Sequence, residues 1–128
     1  MSKKKTKNCL FPNDYKDKRL LYLMPGPPIV YYGSEQELSQ RQSIHAKNAL
    51  GFDEARLPMI WEEQEENNSA KVMREMAAFR RQNPWLSHAR WHTLEVEQKL
   101  VVFEVSDGKN NLLVEIRNDQ KHWWVKSR

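Results

Sequence analysis

The spacing of apolar positions in the second half of the chain predicts one helix. Val72, Met76 and Phe79 recur at the spacing of a single helical face, which predicts a helix from Ala70 to Gln82. Ser69 precedes it and is a favourable N-cap residue. An Asn-Pro pair follows Gln82 and ends the helix, because proline cannot continue the backbone hydrogen bonds.

After Trp85 the apolar pattern changes to that of short β-strands. An Asp107-Gly108 pair between two of the segments is a typical hairpin turn. Four strands within so short a stretch predict an antiparallel sheet, with a domain boundary near Asn83–Ser87. The predicted strands are Trp91–Val96, Leu100–Val105, Leu112–Ile116 and Trp123–Val125.

The first half carries one further apolar segment, Ile29–Tyr32. Four proline and glycine residues precede it and separate it from the apolar run Leu20–Met24. Because the segment is apolar on both faces, the pattern predicts a buried parallel strand. Residues 34–68 are polar and predict a long loop with one helical turn near Ser39–Asn48. Residues 1–18 are polar and charged, which predicts a disordered basic start.

Length and charge narrow the possible classes of protein. The 128 residues suit one ordinary domain, and a complete (β/α)₈ barrel needs about 250. Much of the net charge of +4 comes from Lys3, Lys4, Lys5 and Lys7, which favours a solvated start over nucleic-acid binding. No apolar run is long enough to cross a membrane. The single cysteine, Cys9, cannot form a disulfide within the chain, which predicts a reducing, cytoplasmic location.

No set of residues has the spacing of an active site. Asp53-Glu54, Glu62-Glu63 and Glu65-Glu66 are adjacent pairs in a loop, and such pairs do not hold two carboxylates at a fixed separation. We therefore interpret them as a solvated acidic loop and predict no catalytic residue, metal or cofactor. The four histidines lack the spacing of metal ligands: His45, His88, His92 and His122.

Five tryptophans offer the remaining candidate chemistry, because aromatic rings pack in cores and also stack on sugars. Trp85 and Trp91 flank the junction of helix and sheet, and core packing is the favoured interpretation. Trp61 is expected to anchor its loop, with sugar contact as the alternative. Trp123 and Trp124 are placed to cover the sheet edge.

Three segments in order resemble the alpha-amylase family, glycoside hydrolase family 13. Pro25–Glu35 is similar to the family pattern P-G-x-P-x-I/V-Y-Y-G-x-E, Arg56–Trp61 to R-x-P-M-x-W, and Phe79–Pro84 to a helix end with R-x-x-N-P. The resemblance covers about residues 19–118. It is closest to oligo-1,6-glucosidase, alpha-glucosidase and neopullulanase-type enzymes.

The resemblance implies an α+β fragment in two parts. Residues 19–84 would form the last strand, a long loop and the last helix of a (β/α)₈ barrel. Residues 85–128 would form a small antiparallel, β-sandwich-like C-terminal domain. The implied function is that of the C-terminal part of an alpha-glucan or alpha-glucoside hydrolase.

The resemblance also implies that this part is inactive alone, because the family's two catalytic aspartates and its acid/base glutamate lie upstream. Glu35 matches a supporting residue. Arg56 and Trp61 are candidates for substrate binding, and the expected partners are an alpha-glucan oligosaccharide and an upstream barrel half. The alternative is a non-catalytic β module in which the sheet binds sugar or protein through Trp91, Trp123 and Trp124.

Overall fold

The computed structural model describes residues 9–12, 14–40, 42–62, 65–117 and 122–127. Within these ranges the fold is mixed α+β, with two α-helices and one four-stranded antiparallel sheet. The helices are α1, Lys16–Leu23, and α2, Asn68–Gln82; the strands are β1, Arg90–Glu97, β2, Leu100–Ser106, β3, Asn111–Arg117, and β4, His122–Ser127. Short 3₁₀ helices span Ser34–Gln36, Gly51–Ala55 and Pro84–His88.

The sheet is a meander in the order β1-β2-β3-β4, which confirms the four predicted strands and the antiparallel arrangement. The predicted hairpin turn at Asp107-Gly108 joins β2 to β3. The carboxylate of Asp107 accepts backbone hydrogen bonds from Asn110 at 2.7 Å and Lys109 at 2.9 Å. These bonds favour the charged form and lower the pKa of Asp107. Gly108 has a φ of +97°, a conformation that favours glycine.

Helix α2 and the sheet share one buried core. Val72 and Met76 on α2 are buried as predicted, and Phe79 packs partly buried against the same cluster. Phe103 of β2 and Leu23 of α1 belong to that cluster, and Trp85 contacts it as predicted. The core therefore includes residues from both sides of the predicted boundary at Asn83–Ser87, and the boundary itself stays a prediction.

The predicted N-cap of the helix is wrong. Helix α2 begins at Asn68, and the side chain of Asn67 accepts a hydrogen bond from the backbone N–H of Ala70 at 2.9 Å. Ser69 is fully buried, and its hydroxyl hydrogen-bonds the carboxylate of Glu37. A distant carboxylate therefore engages the side chain that the local pattern assigned to capping.

The cap yields a stability prediction. Asn67→Ala is expected to lower the free energy of unfolding by about 1 kcal/mol, because one N–H of the first helical turn loses its acceptor. Asn68→Ala changes the neighbouring exposed asparagine in the same way and serves as the matched control. Urea denaturation followed by far-UV circular dichroism measures both. Equal losses in the two variants would contradict the assignment of the cap.

The predicted start and loop also need correction. Disorder over residues 1–18 is wrong for the part that the structure describes, because Phe11 is buried and α1 begins at Lys16. Residues 1–8, with the lysine cluster, lie outside the described residues. The helical turn predicted near Ser39–Asn48 is not found in the described part of that range; the short helices lie on either side, at Ser34–Gln36 and Gly51–Ala55.

The described residues of this chain do not by themselves form the buried parallel strand predicted at Ile29–Tyr32. The segment belongs to no sheet among the described residues, and its side chains are exposed by 85, 39, 58 and 41%. A parallel strand is stable between neighbouring strands that cover it, and the four strands in the described part of the chain pair with one another instead. The apolar residues are therefore left at the surface.

The exposure of this segment predicts tolerance to polar substitution. Val30→Thr is expected to change the free energy of unfolding by less than about 0.5 kcal/mol, because the side chain already contacts water. The matched control, Val114→Thr, places the same hydroxyl at a fully buried position and is expected to cost about 2 kcal/mol. Thermal and urea unfolding compare the two. A comparable loss in both variants would show that Val30 is covered.

Candidate functional site

The candidate site is the surface formed by Ile29–Tyr32 and the loop Ala55–Trp61, which we call the tyrosine surface. The chain reverses directly after Tyr32, where Gly33 has a φ of +84°. This φ favours glycine, and a Cβ atom at Gly33 would also force the side chain of Leu38 to shift. The reversal brings the Ser34–Gln36 helix next to the loop.

Hydrogen bonds join the two segments. The hydroxyl of Tyr31 donates to the carbonyl of Ala55 at 3.3 Å. The side-chain amide of Gln36 donates to the carbonyl of Ile60 at 2.8 Å and accepts from its N–H at 3.2 Å. A shallow cleft of about 210 Å³ lies between the segments, with Tyr31, Leu38 and Leu57 in its lining. Two of the family-like segments are thus neighbours in space.

Arg56 lies beside this cleft and is largely exposed. Its guanidinium pairs with the carboxylate of Asp53 at 3.0 Å, and both side chains are about two-thirds exposed. Such a surface pair stabilises a fold by at most about 1 kcal/mol, so the guanidinium can readily exchange its partner. The positive charge opposes a rise in the pKa of Tyr32, which is raised by partial burial and by a hydrogen bond to Tyr31.

Trp61, the other predicted binding residue, extends into solvent. Its side chain is 85% exposed, so within the described residues it does not anchor the loop. Ile60 and Phe52 of the same region are also exposed. Arg56 and Trp61 lie on one loop, but no hydrogen bond, ion pair or cation–π contact joins them among the described residues.

The acidic side chains near the cleft have local structural partners. Glu54 accepts hydrogen bonds from the side chain of Gln42 and from the backbone N–H of Leu50, both at 2.9 Å. On the sheet, the pKa of Glu95 is raised, mainly by a hydrogen bond with Glu97. The described residues contain no group of three or more His, Cys, Asp or Glu side chains that could hold a metal ion.

Trp91, on strand β1, has a ring that remains partly accessible. It stacks on Phe103 with a centroid distance of 3.6 Å and an angle of 15°, which agrees with the predicted packing role. Yet 37% of the residue remains exposed. The side chains of Trp123 and Trp124, predicted to cover the sheet edge, lie outside the described residues, although their backbone is part of β4.

Sequence reasoning missed the role of Arg80 in the R-x-x-N-P pattern. Its guanidinium donates hydrogen bonds to the carbonyls of Tyr22 at 3.2 Å, Met24 at 2.8 Å and Gly26. Partial burial lowers its pKa. The arginine therefore fixes the end of α1 and the start of the segment that leads to Ile29. The match of Arg80 to the arginine of the R-x-x-N-P pattern marked it as a residue of interest. Its hydrogen-bond partners could not be predicted because they lie far away in the sequence.

Asn83 of the same pattern organises the other end of α2. Its side-chain amide donates to the carbonyl of Phe79 at 2.9 Å and accepts from the indole N–H of Trp85 at 3.1 Å. The pattern thus joins α1, α2 and the residues before the sheet. Its side chains act on the position of the backbone and do not line the cleft.

Comparison of the chain with models of known protein families, with curated proteins and with solved structures found no match. Among the described residues, no helix is both long and apolar enough to cross a lipid bilayer. The sequence patterns and the geometry of the tyrosine surface are therefore the features that indicate a function.

Proposed function

We propose that the chain is the C-terminal part of an alpha-glucan or alpha-glucoside hydrolase of the alpha-amylase type. In this proposal residues 19–84 supply the last strand, loop and helix of a (β/α)₈ barrel, and residues 85–128 form a small β-sandwich-like domain after it. The chain contributes no catalytic carboxylate and is inactive alone. Its role is to complete an upstream barrel half that carries the catalytic acids.

The observation that carries the proposal is the uncovered segment Ile29–Tyr32. Its apolar side chains are exposed, and its first two residues have no backbone hydrogen bond among the described residues. An apolar segment with open backbone donors and acceptors is a surface that neighbouring strands would cover. An upstream barrel half would supply such strands on both sides of it.

The hydrogen bonds of the family-like segments support the same proposal. Tyr31 and Gln36 join the first segment to the second, and Arg80 of the third fixes the chain that enters the first. Three segments that resemble one family in order therefore also contact one another. A chance resemblance does not require that proximity.

An assay of the purified chain tests the first part of the proposal. With p-nitrophenyl alpha-glucoside or maltodextrin as substrate, no turnover is expected from the chain alone. Hydrolysis that a single Asp or Glu substitution abolishes would contradict the proposal. Co-expression with the N-terminal barrel half of an alpha-glucosidase is expected to restore turnover. Ile29→Asp is expected to prevent this restoration, whereas the control Leu94→Asp, at an exposed leucine on the sheet, is not.

A second candidate function is a non-catalytic carbohydrate-binding or protein-binding β module. The observation that favours it is Trp91, whose ring is stacked on Phe103 and remains partly exposed. A rigid aromatic ring of this kind can stack on a sugar. Titration with maltodextrin to millimolar sugar, followed by tryptophan fluorescence, separates the two functions. A shift that Trp91→Phe abolishes would support the module, and an unchanged spectrum would count against it.

The proposal places the protein in the cytoplasm. Cys9, the only cysteine of the chain, is buried, and its thiol contacts the carbonyl of Phe11 at 3.1 Å. A buried, reduced cysteine suits a reducing compartment. The proposed partners are an alpha-glucan oligosaccharide and the upstream barrel half, with neither nucleic acid nor membrane among them.

A further inference from the structure

Strand β1 is an open edge of the sheet. All eight residues of Arg90–Glu97 are exposed, and among the described strands only β2 pairs with it, on one side. The opposite edge is partly covered, because the N–H of Leu10 donates to the carbonyl of Val125 in β4 at 2.8 Å. An exposed edge with open backbone groups is a template for another strand.

A register irregularity between Thr93 and Glu95 sets the faces of this edge. Trp91 lies opposite Val105, and Val96 lies opposite Val101, so both lie on the face of the sheet that holds the core. Val96 is nevertheless 68% exposed, and Leu94 is 52% exposed. The extra residue at the irregularity places Trp91 and Val96 on the same face although they are five positions apart. In a regular strand, residues five positions apart lie on opposite faces.

The charges of the strand lie on the other face. Arg90 and His92 occupy its first half, whereas Glu95 and Glu97 occupy its second half. Repulsion between the two glutamates contributes to the raised pKa of Glu95, although Arg117 opposes it. No positive side chain of β1 itself lies near these acids, because the bases are at the opposite end of the strand.

An antiparallel copy of the same strand would match this pattern residue by residue. Arg90 would then lie opposite Glu97 of the second copy, His92 opposite Glu95, and Trp91 opposite Val96. Each pair occurs twice, because a two-fold axis between Thr93 and Leu94 relates the copies. Charged pairs share one face and apolar pairs share the other, and the two irregularities meet at the axis.

We propose that β1 pairs with β1 of a second copy of this chain, which joins the two sheets into one of eight strands. The inference does not depend on the hydrolase proposal. Eight residues a side are fewer than the 20–30 of a typical stable interface, so the dimer is weak and reversible. The charge pattern selects this register, because a parallel arrangement would bring the glutamates of the two copies together.

Reversal of single charges tests the register. Arg90→Glu makes both copies acidic at both ends of the strand, and Glu97→Arg makes both ends basic. For each single variant, the dissociation constant of the dimer is expected to be at least about tenfold higher than for the chain with the unmodified strand. An equimolar mixture of the two variants is expected to dimerise again, because each end then brings opposite charges together. The double variant R90E/E97R is expected to dimerise like the unmodified strand.

Sedimentation velocity up to about 200 μM measures the association of the full chain. All variants carry Ile29→Ser, so that contacts through the tyrosine surface do not contribute. The matched control is Lys99→Glu, an exposed lysine in the turn after β1, which makes the same change of charge without a paired position. It is expected to leave the dimer unchanged. A monomeric unmodified strand, single variants that still dimerise equally well, or a mixture that does not recover would each overturn the proposal.

Discussion

Replacement of Arg19 by methionine is expected to lower the free energy of unfolding by about 4 kcal/mol. Arg19 is 2% exposed and is the largest fully buried side chain in the described part of the chain. Its guanidinium pairs with the carboxylates of Asp14 at 2.9 Å and Glu75 at 3.0 Å. It also lies over the ring of Phe11, with its central carbon 5.5 Å from the ring centroid. One cation thus joins the segment before α1 to α2.

The loss of stability is large because methionine fills the volume of the arginine side chain but cannot neutralise the carboxylates of Asp14 and Glu75. Asp14 is only 14% exposed and would lose the guanidinium that neutralises it. Arg74→Met is the matched control, because Arg74 also pairs with a glutamate, Glu66, but is 76% exposed. We expect a loss below about 1 kcal/mol there. Urea denaturation of both variants measures the difference, and equal losses would contradict a buried ionic core.

Replacement of Arg80 by methionine is expected to cost about 3 kcal/mol. Three backbone carbonyls at the end of α1 and in the turn after it would lose a charged donor. Partial access to water limits the loss, since water can replace some of these bonds. The position of the chain that leads to Ile29 should then become less well defined.

Arg81→Met provides the matched control for this second variant, because Arg81 is the next residue on α2 and is exposed. Its replacement is expected to change the free energy of unfolding by less than about 0.5 kcal/mol. Hydrogen exchange adds a local readout, with faster exchange expected for the amides of α1 in Arg80→Met. Unchanged exchange in α1 together with full stability would refute the role assigned to Arg80.

Local patterns predicted most of the secondary structure of the second half. Helix α2 and the four strands follow from spacing within a few residues, and Asp107-Gly108 marks the hairpin because its turn chemistry is local. The N-cap was missed because Asn67 and Ser69 can both cap a helix. The choice between them depends on Glu37, which lies 32 residues from Ser69 in the sequence.

Features that depend on distant partners could not be predicted in this way. An apolar run such as Ile29–Tyr32 indicates a tendency to be buried, but burial also requires neighbours that this chain does not place there. The roles of Arg19 and Arg80 depend on partners more than 50 residues away. The irregularity near Leu94 has no glycine or other local signal in the sequence.

In the candidate site, too, local patterns were predictable and long-range contacts were not. The motifs Pro25–Glu35 and Arg56–Trp61 are recognisable from local sequence, whereas the hydrogen bonds of Tyr31 and Gln36 that join them are seen in the structure alone. The roles expected for Arg56 and Trp61 stay predictions, because both side chains extend into solvent. Their position relative to a substrate would depend on barrel strands that this chain does not supply.

The DNA sequence immediately upstream of the codon for Met1 tests the hydrolase proposal most directly. We predict that it encodes, in the same or a shifted reading frame, an Asn-His-Asp stretch preceded by the catalytic glutamate and aspartate of the alpha-amylase family. That result would identify the barrel half that we propose covers the tyrosine surface. Upstream DNA that encodes none of these residues in any frame would contradict the proposal and favour an independent β module.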